Sequence, residues 1–299
     1  KIDREQISTE MFSTSKALLV LLVVLLSSAF CARVRYDNWK VISIANYTET
    51  DDAYEFSEKF GGTVWGKDRV LKTVSIVVPP ESVKDVLALP KDTRIIIDNV
   101  QELFDEEQNR LANPKPDADF FDDYRDQRAV DAWINGLEGV QVKEFGKSLE
   151  GRAINVVVLG TGPLDIFLIG TIHAREWITT TTSNWIIDQL LRPENADLLQ
   201  KFTWHIAPIT NPDGFDYCWT NDRMWRKNRR VNAGSTARGV DLNRNFAKGF
   251  GGGGSSGSPS SGSYRGPSPF SEDEAQAIRD YAIGLGSSLV GYIDIHCCG

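Results

Sequence analysis

The sequence predicts an α/β fold in residues 120–299, preceded by a smaller α+β unit, and three observations support this. After Phe120, short apolar runs alternate with helical patterns, which is typical of a sheet covered by helices on both faces. Between Trp39 and Asp98, the predicted order is strand, helix, strand, strand, helix, strand, as in the ferredoxin-like split βαβ unit. The proline-rich, acidic stretch 112–119 lies between the two parts and has the composition of a linker.

Length and composition limit the class of protein. The chain has 299 residues, which favours roughly two domains, and its 41% hydrophobic and 25% charged content is that of an ordinary folded protein. A formal net charge of −8 argues against a general nucleic-acid binder, because such proteins carry a positive surface. Only three histidines are present, so the role of each can be considered separately.

The N-terminal 32 residues are predicted to be a leader and a signal peptide. Lys16 precedes the apolar run 17–26, and small residues follow it up to Ala32. A membrane span needs about 20 apolar residues, so this run favours a cleaved signal over a membrane anchor or a buried helix. We therefore expect a secreted protein without a membrane span. Cys31 leaves with the signal or borders it, and the odd number that remains, Cys218, Cys297 and Cys298, leaves their connectivity open.

Residues 33–111 are predicted to form the smaller domain. The patterns predict strands at 39–44, 63–65, 70–78 and 93–98, and helices at 51–60 and 81–89. A charged helix at 101–111 leads into the linker 112–119. Arg110 and Lys115 would be exposed sites for proteolysis there, although the segment could equally be a plain hinge.

Residues 120–299 are predicted to form the second domain. Helices are expected at 128–137, 178–191 and 271–285, and strands at 140–144, 154–158, 165–170, 202–208 and 289–295. Asn211-Pro-Asp-Gly214 is interpreted as a turn, and Ser271 as the N-cap of the last helix with Glu274 at capping-box spacing. The glycine- and serine-rich stretch 249–266 is interpreted as a long surface loop within this domain.

Two of the histidines follow predicted strands and indicate a metal site. His173 and Glu176 come just after strand 165–170 and are three residues apart, so that they can point the same way. His296 follows strand 289–295. The same ends of neighbouring strands meet at one crevice, and two histidines with one glutamate match a catalytic zinc set with a position left for water. His205 lies within a predicted strand and is interpreted as structural.

Arginines cluster near these residues in the sequence. Arg175 lies between the two ligands, and Arg226 and Arg244 lie in two later polar motifs. A guanidinium group binds a carboxylate through two parallel hydrogen bonds, so the cluster suggests a substrate with a free carboxylate. A nucleic-acid patch at 223–230 is the alternative, disfavoured by the acidic net charge.

At these residues the chain resembles the secreted zinc metallocarboxypeptidases of the pancreatic A/B type in their proenzyme form. The resemblance runs from about Tyr36 to the end and rests on four motifs in order: Thr171-Ile-His-Ala-Arg-Glu-Trp177, Thr210-Asn-Pro-Asp-Gly-Phe215, Arg223-Met-Trp-Arg-Lys227 and Gly239-Val-Asp-Leu-Asn-Arg-Asn245. It implies a mixed-sheet zinc carboxypeptidase domain preceded by a ferredoxin-like activation domain. It also implies one zinc ion, a monomer, peptide substrates with a free C-terminal carboxylate, and activation by a trypsin-like protease.

The resemblance also implies a role for each site residue. His173, Glu176 and His296 would bind zinc, and Asp241 would orient a zinc-bound imidazole from behind. Arg226 would polarise the scissile carbonyl and stabilise the developing oxyanion. The remaining substrate contacts would come from Arg175, Asn243 and Arg244, of which the last two would hold the terminal carboxylate.

Three departures from the family pattern are expected to matter. The general-base glutamate, the mobile tyrosine and the residue at the base of the specificity pocket all follow the third ligand at a distance in the family, whereas this sequence ends three residues after His296. We therefore expect a truncated record of a longer enzyme, able to bind zinc but not to turn over peptide efficiently. The family disulfide joins two positions that are occupied here by Ala237 and Ser260, so the disulfide is missing and a looser glycine-rich loop is expected. Cys297 and Cys298 replace the usual Ser-Tyr pair.

The function predicted is that of a secreted proenzyme of a zinc exopeptidase that hydrolyses the C-terminal peptide bond. Two alternatives stay open: a catalytically inactive homologue that binds zinc and peptide, and a zinc amidohydrolase of the acylase type. The preferred terminal residue cannot be predicted from these residues.

Overall fold

The structure is a computed structural model that describes residues 33–47 and 53–297. The predicted leader and signal peptide at 1–32 lie outside the described residues, as do 48–52, Cys298 and Gly299. Within the described ranges, no helix is long and apolar enough to cross a membrane.

The N-terminal part contains a four-stranded antiparallel sheet in the order β2-β3-β1-β4. Its strands are β1 (Lys40–Ile44), β2 (Thr63–Asp68), β3 (Thr73–Val78) and β4 (Thr93–Ile97). Helix α1 (Ala53–Glu58) precedes β2, and helix α2 (Val83–Leu87) precedes β4. Both the element order and the strand order are those of the predicted ferredoxin-like unit.

The two faces of this sheet are both covered. One face, which includes Ile42 and Ile76, packs against α1 and α2. The other face, which includes Val41 and Val77, packs against helix α3 (Val100–Ala112) through Phe104. The alternation of side chains along each strand divides the apolar residues between two cores.

The C-terminal part contains a five-stranded mixed sheet in the order β5-β6-β8-β7-β9. Its strands are β5 (Gln141–Lys147), β6 (Ala153–Leu159), β7 (Leu164–Ile169), β8 (Phe202–Ala207) and β9 (Leu289–Asp294). Strand β7 is parallel to β8 and to β9, whereas β5, β6 and β8 pair antiparallel. The helices are α4 (Gln127–Asn135), α5 (Trp177–Leu190), α6 (Ala196–Lys201), α7 (Pro212–Thr220) and α8 (Asp273–Leu285).

Helices cover both faces of the larger sheet, as predicted. Leu168 and Ile206 pack against Ile187 of α5 on one face, in a core that α4 and α7 complete. Phe167 and Ile169 point to the opposite face and pack with Ile278 of α8. The predicted α/β architecture is therefore confirmed.

His205 of β8 is held in a buried polar chain away from the candidate ligands. Its Nδ1 lies 2.8 Å from the Tyr281 hydroxyl and its Nε2 lies 3.0 Å from Asp165 Oδ1. Both ring nitrogens have partners that join three elements of the fold, which supports the structural interpretation.

The structure differs from the predicted elements at two helix starts. Asn211-Pro-Asp-Gly214 begins helix α7: the Asn211 side chain accepts a hydrogen bond from Gly214 N, and Pro212 is the first helical residue. The predicted turn was wrong because N-cap and turn chemistry use the same residue types. Helix α8 begins at Asp273 rather than Ser271, and no side chain caps it.

The predicted capping role of Glu274 was also wrong, because its side chain is buried. Asn228 Nδ2 donates to Glu274 Oε2 at 3.2 Å and to Glu272 Oε2 at 2.8 Å. Arg230 pairs with Glu272, but Glu274 Oε1 has no hydrogen-bond partner among the described residues. Burial therefore raises the pKa of Glu274 to about 7, against the opposing hydrogen bonds.

Glu274 predicts a pH-dependent stability. A carboxyl group whose pKa is higher in the folded state than the ordinary 4.5 stabilises the folded state fully below about pH 4.5. This stabilisation is lost as pH rises through about 7. The loss should be about 3 kcal/mol, and Glu274→Gln should remove this part of the pH dependence. Urea unfolding between pH 5 and 8 measures it, with exposed Glu138→Gln as control. Equal pH slopes for the Glu274→Gln variant and the unmodified protein would contradict this account.

Candidate metal centre

His173 and Glu176 lie in a tight loop between β7 and α5. Gly170 has no room for a side chain, because a Cβ there would lie 2.6 Å from Ser183 Oγ. Thr171 has a positive φ of 53°, and its hydroxyl lies within hydrogen-bond distance of Thr179 and Thr180 of α5. Glu176 is the residue before the first turn of α5. The loop is thus fixed by the helix that follows it.

His296 reaches the same place from the neighbouring strand. Strand β9 is parallel to β7, with Asp294 opposite Ile169, and Ile295 N donates to the Ile169 carbonyl at 2.9 Å. His296 follows directly. The carboxyl ends of two adjacent parallel strands therefore bring the three candidate ligands together, as the sequence predicted.

The three side chains converge through atoms that can bind a metal ion. His173 Nδ1 lies 2.9 Å from Glu176 Oε1, and His296 Nδ1 lies 3.3 Å from Glu176 Oε2. The two Nδ1 atoms are 3.1 Å apart. A tetrahedral site with zinc–ligand bonds of about 2.1 Å has edges of about 3.4 Å, so these separations are close to those of a zinc set.

The protonation pattern also favours a cation over protons alone. His173 Nε2 lies 3.0 Å from Asp241 Oδ1 and His296 Nε2 lies 3.0 Å from Asp294 Oδ2, so each ring can donate its Nε2 proton to a carboxylate. The Nδ1 lone pairs then face each other and Glu176. Protonating both Nδ1 atoms would set two N–H groups against each other at 3.1 Å. One divalent cation satisfies all three groups, so the donor set fits zinc.

Asp241 supports the ligands from behind. It is fully buried, it accepts from His173, and its Oδ2 accepts from Arg226 Nη2 at 3.0 Å. Asp241 Oδ1 also accepts from the Asn243 backbone N–H at 3.1 Å. A carboxylate in this position fixes the tautomer and the orientation of His173.

Electrostatics at the centre follow from buried opposite charges. Burial would raise the pKa of Asp241, but Arg226 and then His173 outweigh it and hold that pKa far below its usual range. Burial also opposes ionisation of Glu176, whose pKa is nevertheless lowered by the hydrogen bonds of His173 and His296. For His296, burial favours the neutral ring, but Asp294 and Glu176 raise its pKa to about 9. A metal ion would therefore displace a proton here.

The arginines and the asparagine predicted to contact substrate all lie at the same cleft. Asn243 Nδ2 is 3.2 Å from His296 Nε2. Arg244 donates through Nε to the Gly254 carbonyl at 2.8 Å, and among the described residues no carboxylate lies within ion-pair distance of it. Arg226 is buried beside Asp241, and Arg175 donates to the Val64 carbonyl at 2.8 Å.

The cleft has a volume of about 800 Å³ and lies between the two sheets. Among the residues that the structure describes, one carboxylate, Glu176, lines the cleft. The basic residues that line it are Lys67, Arg69, Arg175, Arg223, Arg226 and Arg244. The resemblance implied that the N-terminal part covers the site, but sequence reasoning did not identify the residues of that part that line the cleft, which include Tyr54, Val64 and Phe104. No local pattern signals these residues, because their position depends on how the two sheets pack.

The basic run 223–230 is not an exposed nucleic-acid patch. Arg223 is bound to Glu107 of α3 by two hydrogen bonds of 2.6 and 3.1 Å, and its guanidinium lies 3.7 Å from the centre of the Trp177 ring. Arg229 stacks on Tyr217. The acidic helix α3 thus meets the arginine-rich face at Glu107.

Two of the four cysteines, Cys218 and Cys297, lie within the described residues. Cys218 is buried, and Cys297 lines the cleft and donates its backbone N–H to Glu176 Oε2 at 3.0 Å. Cys31 and Cys298 lie outside the described residues, so the cysteine connectivity stays a prediction.

Comparisons with known proteins point to one family. A model of the zinc carboxypeptidase family, peptidase family M14, matches residues 133–299. The chain is 32% identical to zinc carboxypeptidase A 1 of Anopheles gambiae over 93% of this chain and 68% of that protein, and 30% identical to carboxypeptidase B of Rattus norvegicus over 93% and 72%. The structure resembles carboxypeptidase A from Helicoverpa armigera with a TM-score of 0.78, 30% identity, and coverage of 88% of this chain and 71% of that chain.

We expect His173→Ala and Glu176→Ala to abolish stoichiometric zinc binding. Asp241→Asn should weaken zinc binding tenfold to a hundredfold, because the imidazole loses its orienting partner. Zinc content after dialysis and a competition titration with a chelator measure both effects. His205→Ala is the matched control: it should lower the thermal stability and leave the zinc stoichiometry unchanged. One zinc ion per chain in both ligand variants would contradict the proposed centre.

Proposed function

Because the chain belongs to the zinc carboxypeptidase family, we propose that it is the proenzyme form of a zinc exopeptidase that removes C-terminal residues from peptides. The observation that supports this best is the juxtaposition of a three-ligand metal set with an arginine that has no carboxylate partner among the described residues. The first fits zinc, and the second fits a free C-terminal carboxylate.

His173, Glu176 and His296 would hold the metal ion. When bound, zinc supplies Lewis-acid chemistry, polarising a carbonyl group and activating water. Asp241 keeps the Nε2 proton of His173, so that Nδ1 is available as a ligand. No further carboxylate among the described residues lines the cleft beside Glu176, so the residue that accepts the proton of water is not assigned.

Arg226 would stabilise negative charge on the substrate carbonyl. Its guanidinium is positioned by Asp241 Oδ2 and lies 3.6 Å, through Nη1, from Glu176 Oε1. This places a fixed positive charge at the metal ligands, where an oxyanion develops during hydrolysis. The carboxylates of Asp241 and Glu176 keep the Arg226 side chain from rotating away, which preorganises the site.

Arg244 and Asn243 would bind the terminal carboxylate. Arg244 is oriented by the Gly254 carbonyl through Nε and by the Asn243 carbonyl through Nη1, at 2.8 and 3.1 Å. No described carboxylate forms an ion pair with it, so a substrate carboxylate would be its first ion-pair partner. This arrangement explains cleavage at the last residue rather than within a chain.

The N-terminal part, residues 33–111, would act as an activation domain that occupies the substrate side of the cleft. The Val64 carbonyl of β2 accepts from Arg175, and the Tyr54 ring of α1 lies 4.9 Å from the Arg226 guanidinium. Glu107 neutralises Arg223 in the same wall. Each of these contacts occupies the side chain of an arginine that a bound peptide would otherwise reach.

We further propose that the protein is secreted as a monomer and activated by a trypsin-like protease. Secretion rests on the predicted signal peptide, and N-terminal sequencing of the protein from the culture medium, with a start near Arg33, tests it. Cleavage would follow Arg110, since the bond after Lys115 precedes Pro116, which has no amide N–H. The linker 112–119 follows this cleavage site and connects the N-terminal part to the C-terminal part.

Substrate recognition can be tested with paired peptides that end in a free carboxylate or an amide. Arg244→Ala should weaken binding of the free-carboxylate peptide tenfold to a hundredfold, the effect of losing a charged hydrogen bond, and leave the amidated peptide unaffected. Calorimetric titration measures both. Exposed Arg238→Ala is the charge-matched control. If the Arg244→Ala variant still preferred the free-carboxylate peptide over the amidated peptide to the same degree, Arg244 would not bind the terminal carboxylate.

The same peptides separate the enzyme from an inactive binding homologue. In a full-length product that extends beyond Gly299, binding together with release of the terminal amino acid supports the exopeptidase, whereas binding without release supports the homologue. A zinc amidohydrolase of the acylase type would not discriminate between free and amidated C-termini.

Cleavage after Arg110 should open the cleft. We expect limited trypsin treatment to increase binding of the free-carboxylate peptide at least tenfold, because Arg175 and Arg226 lose the contacts with Val64 and Tyr54. Arg110→Gln should block the cut and the increase. Lys115→Gln serves as the control that leaves both unchanged. Equal peptide affinity before and after cleavage would exclude a gating role for the N-terminal part.

A further inference from the structure

The glycine- and serine-rich loop 249–266 touches several functional groups of the candidate site. Its Gly254 carbonyl accepts from Arg244, and its Tyr264 carbonyl accepts from the backbone N–H of Asp241 at 2.8 Å. Within the loop, the backbone N–H groups of Ser256, Ser261 and Tyr264 donate to loop carbonyls. The loop is therefore ordered by hydrogen bonds, and its position affects both the carboxylate-binding arginine and the residue behind the metal.

Lys227 is one of the side chains that anchor this loop to the rest of the C-terminal part, together with Arg244 at Gly254 and Asn245 at Arg265. It is buried, with 7% of its surface exposed, and follows Arg226 in the sequence. Its ammonium group donates to the Pro259 carbonyl at 2.8 Å and to the Ser261 carbonyl at 3.0 Å. Backbone carbonyls carry no net charge, so they do not neutralise the ammonium group. Burying the ammonium group against them costs free energy that its hydrogen bonds must offset.

The charged and titratable groups that face Lys227 are few. Asp241 lies behind it, Glu58 of α1 approaches from the N-terminal part, and the Tyr264 ring centre is 6.0 Å from Nζ. Burial lowers the pKa of Lys227 to about 8, although both carboxylates oppose this shift. The ammonium form that makes the two hydrogen bonds is therefore lost only above about pH 8.

We propose that Lys227 is a positioning residue that holds loop 249–266 in place and, through the Gly254 carbonyl, orients Arg244 for the terminal carboxylate. The proposal rests on the function proposed for Arg244. Lys227 itself touches neither the metal ligands nor the substrate carboxylate site. Its effect on recognition passes through the loop.

A second anchor of the same loop comes from the N-terminal part. Glu58 Oε1 accepts from Ser261 Oγ at 2.7 Å and from Gly262 N at 2.8 Å. If the N-terminal part leaves, the Glu58 anchor leaves with it. Lys227 then provides the remaining side-chain anchor at Pro259 and Ser261, so its contribution should be larger in the cleaved protein.

Hydrogen exchange of the loop amides tests the anchor directly. In the cleaved, zinc-loaded protein, Lys227→Met should accelerate exchange at Ser256, Ser261 and Tyr264 at least tenfold, corresponding to a lost charged hydrogen bond. Exposed Lys248→Met, a lysine next to the loop, should change nothing. In the unmodified protein, protection of these amides should fall above about pH 8 once the intrinsic pH dependence of exchange is removed. This last measurement needs no variant and stands if Lys227→Met fails to fold.

Calorimetry with the free-carboxylate peptide tests the link to Arg244. A positioning role predicts a dissociation constant at least tenfold higher for Lys227→Met with an unchanged number of sites. A merely structural role predicts fewer active sites with an unchanged dissociation constant, which would overturn the proposal. Unaltered loop protection in Lys227→Met, or constant protection across pH 8 in the unmodified protein, would overturn it as well.

Failure of the proposed function and failure of the loop anchor are distinguishable. If the unmodified protein binds free and amidated peptides equally, the proposed function is wrong and so is the link to Arg244. The exchange data then still decide whether Lys227 holds the loop.

Discussion

The candidate site depends on one buried carboxylate, that of Asp241. Its two oxygens are shared between His173 and Arg226, and its own backbone N–H is bound by the Tyr264 carbonyl of the glycine-rich loop. Removing one partner from such a network leaves an uncompensated charge in the interior. The free-energy cost of that charge exceeds the stabilisation that the intact network provides. Asp241 thereby couples the candidate metal ligands, Arg226 and the glycine-rich loop into one unit.

This coupling explains how the N-terminal part can affect the site without touching the ligands. Its contacts near the metal ligands include Arg175, Arg226 and loop 249–266, and the latter two meet at Asp241. The backbone carbonyl of Val64 and the face of the Tyr54 ring are weak partners for arginines, whereas the Asp241 contact is strong and buried. The proposed activation domain would therefore leave the metal set undisturbed when it is removed.

Much of this arrangement could be predicted from sequence, and the part that could not has a common cause. The strand ends that carry His173 and His296 were recognisable because apolar runs of strand length end at them, and α5 and α8 had clear periodicity. Helix α7 was missed because Asn211 and Pro212 suit a turn and a helix start equally. The burial of Glu274, the partner of Arg223 and the anchors of the loop depend on contacts between distant segments, for which one sequence contains no local signal.

Charge at the cleft shows why overall composition and local chemistry must be considered separately. The chain has a net charge of −8, which excludes a general attraction to polyanions, yet six basic side chains and one carboxylate line the cleft. A concave surface with low-dielectric walls concentrates the field of its own charges, so a small anion experiences the arginines more than the distant acidic surface. The protein can therefore repel nucleic acid and still attract a peptide carboxylate. In the role proposed for it, Arg226 has to be held by Asp241, because a mobile guanidinium would turn towards the incoming carboxylate instead of the substrate carbonyl beside the metal ligands.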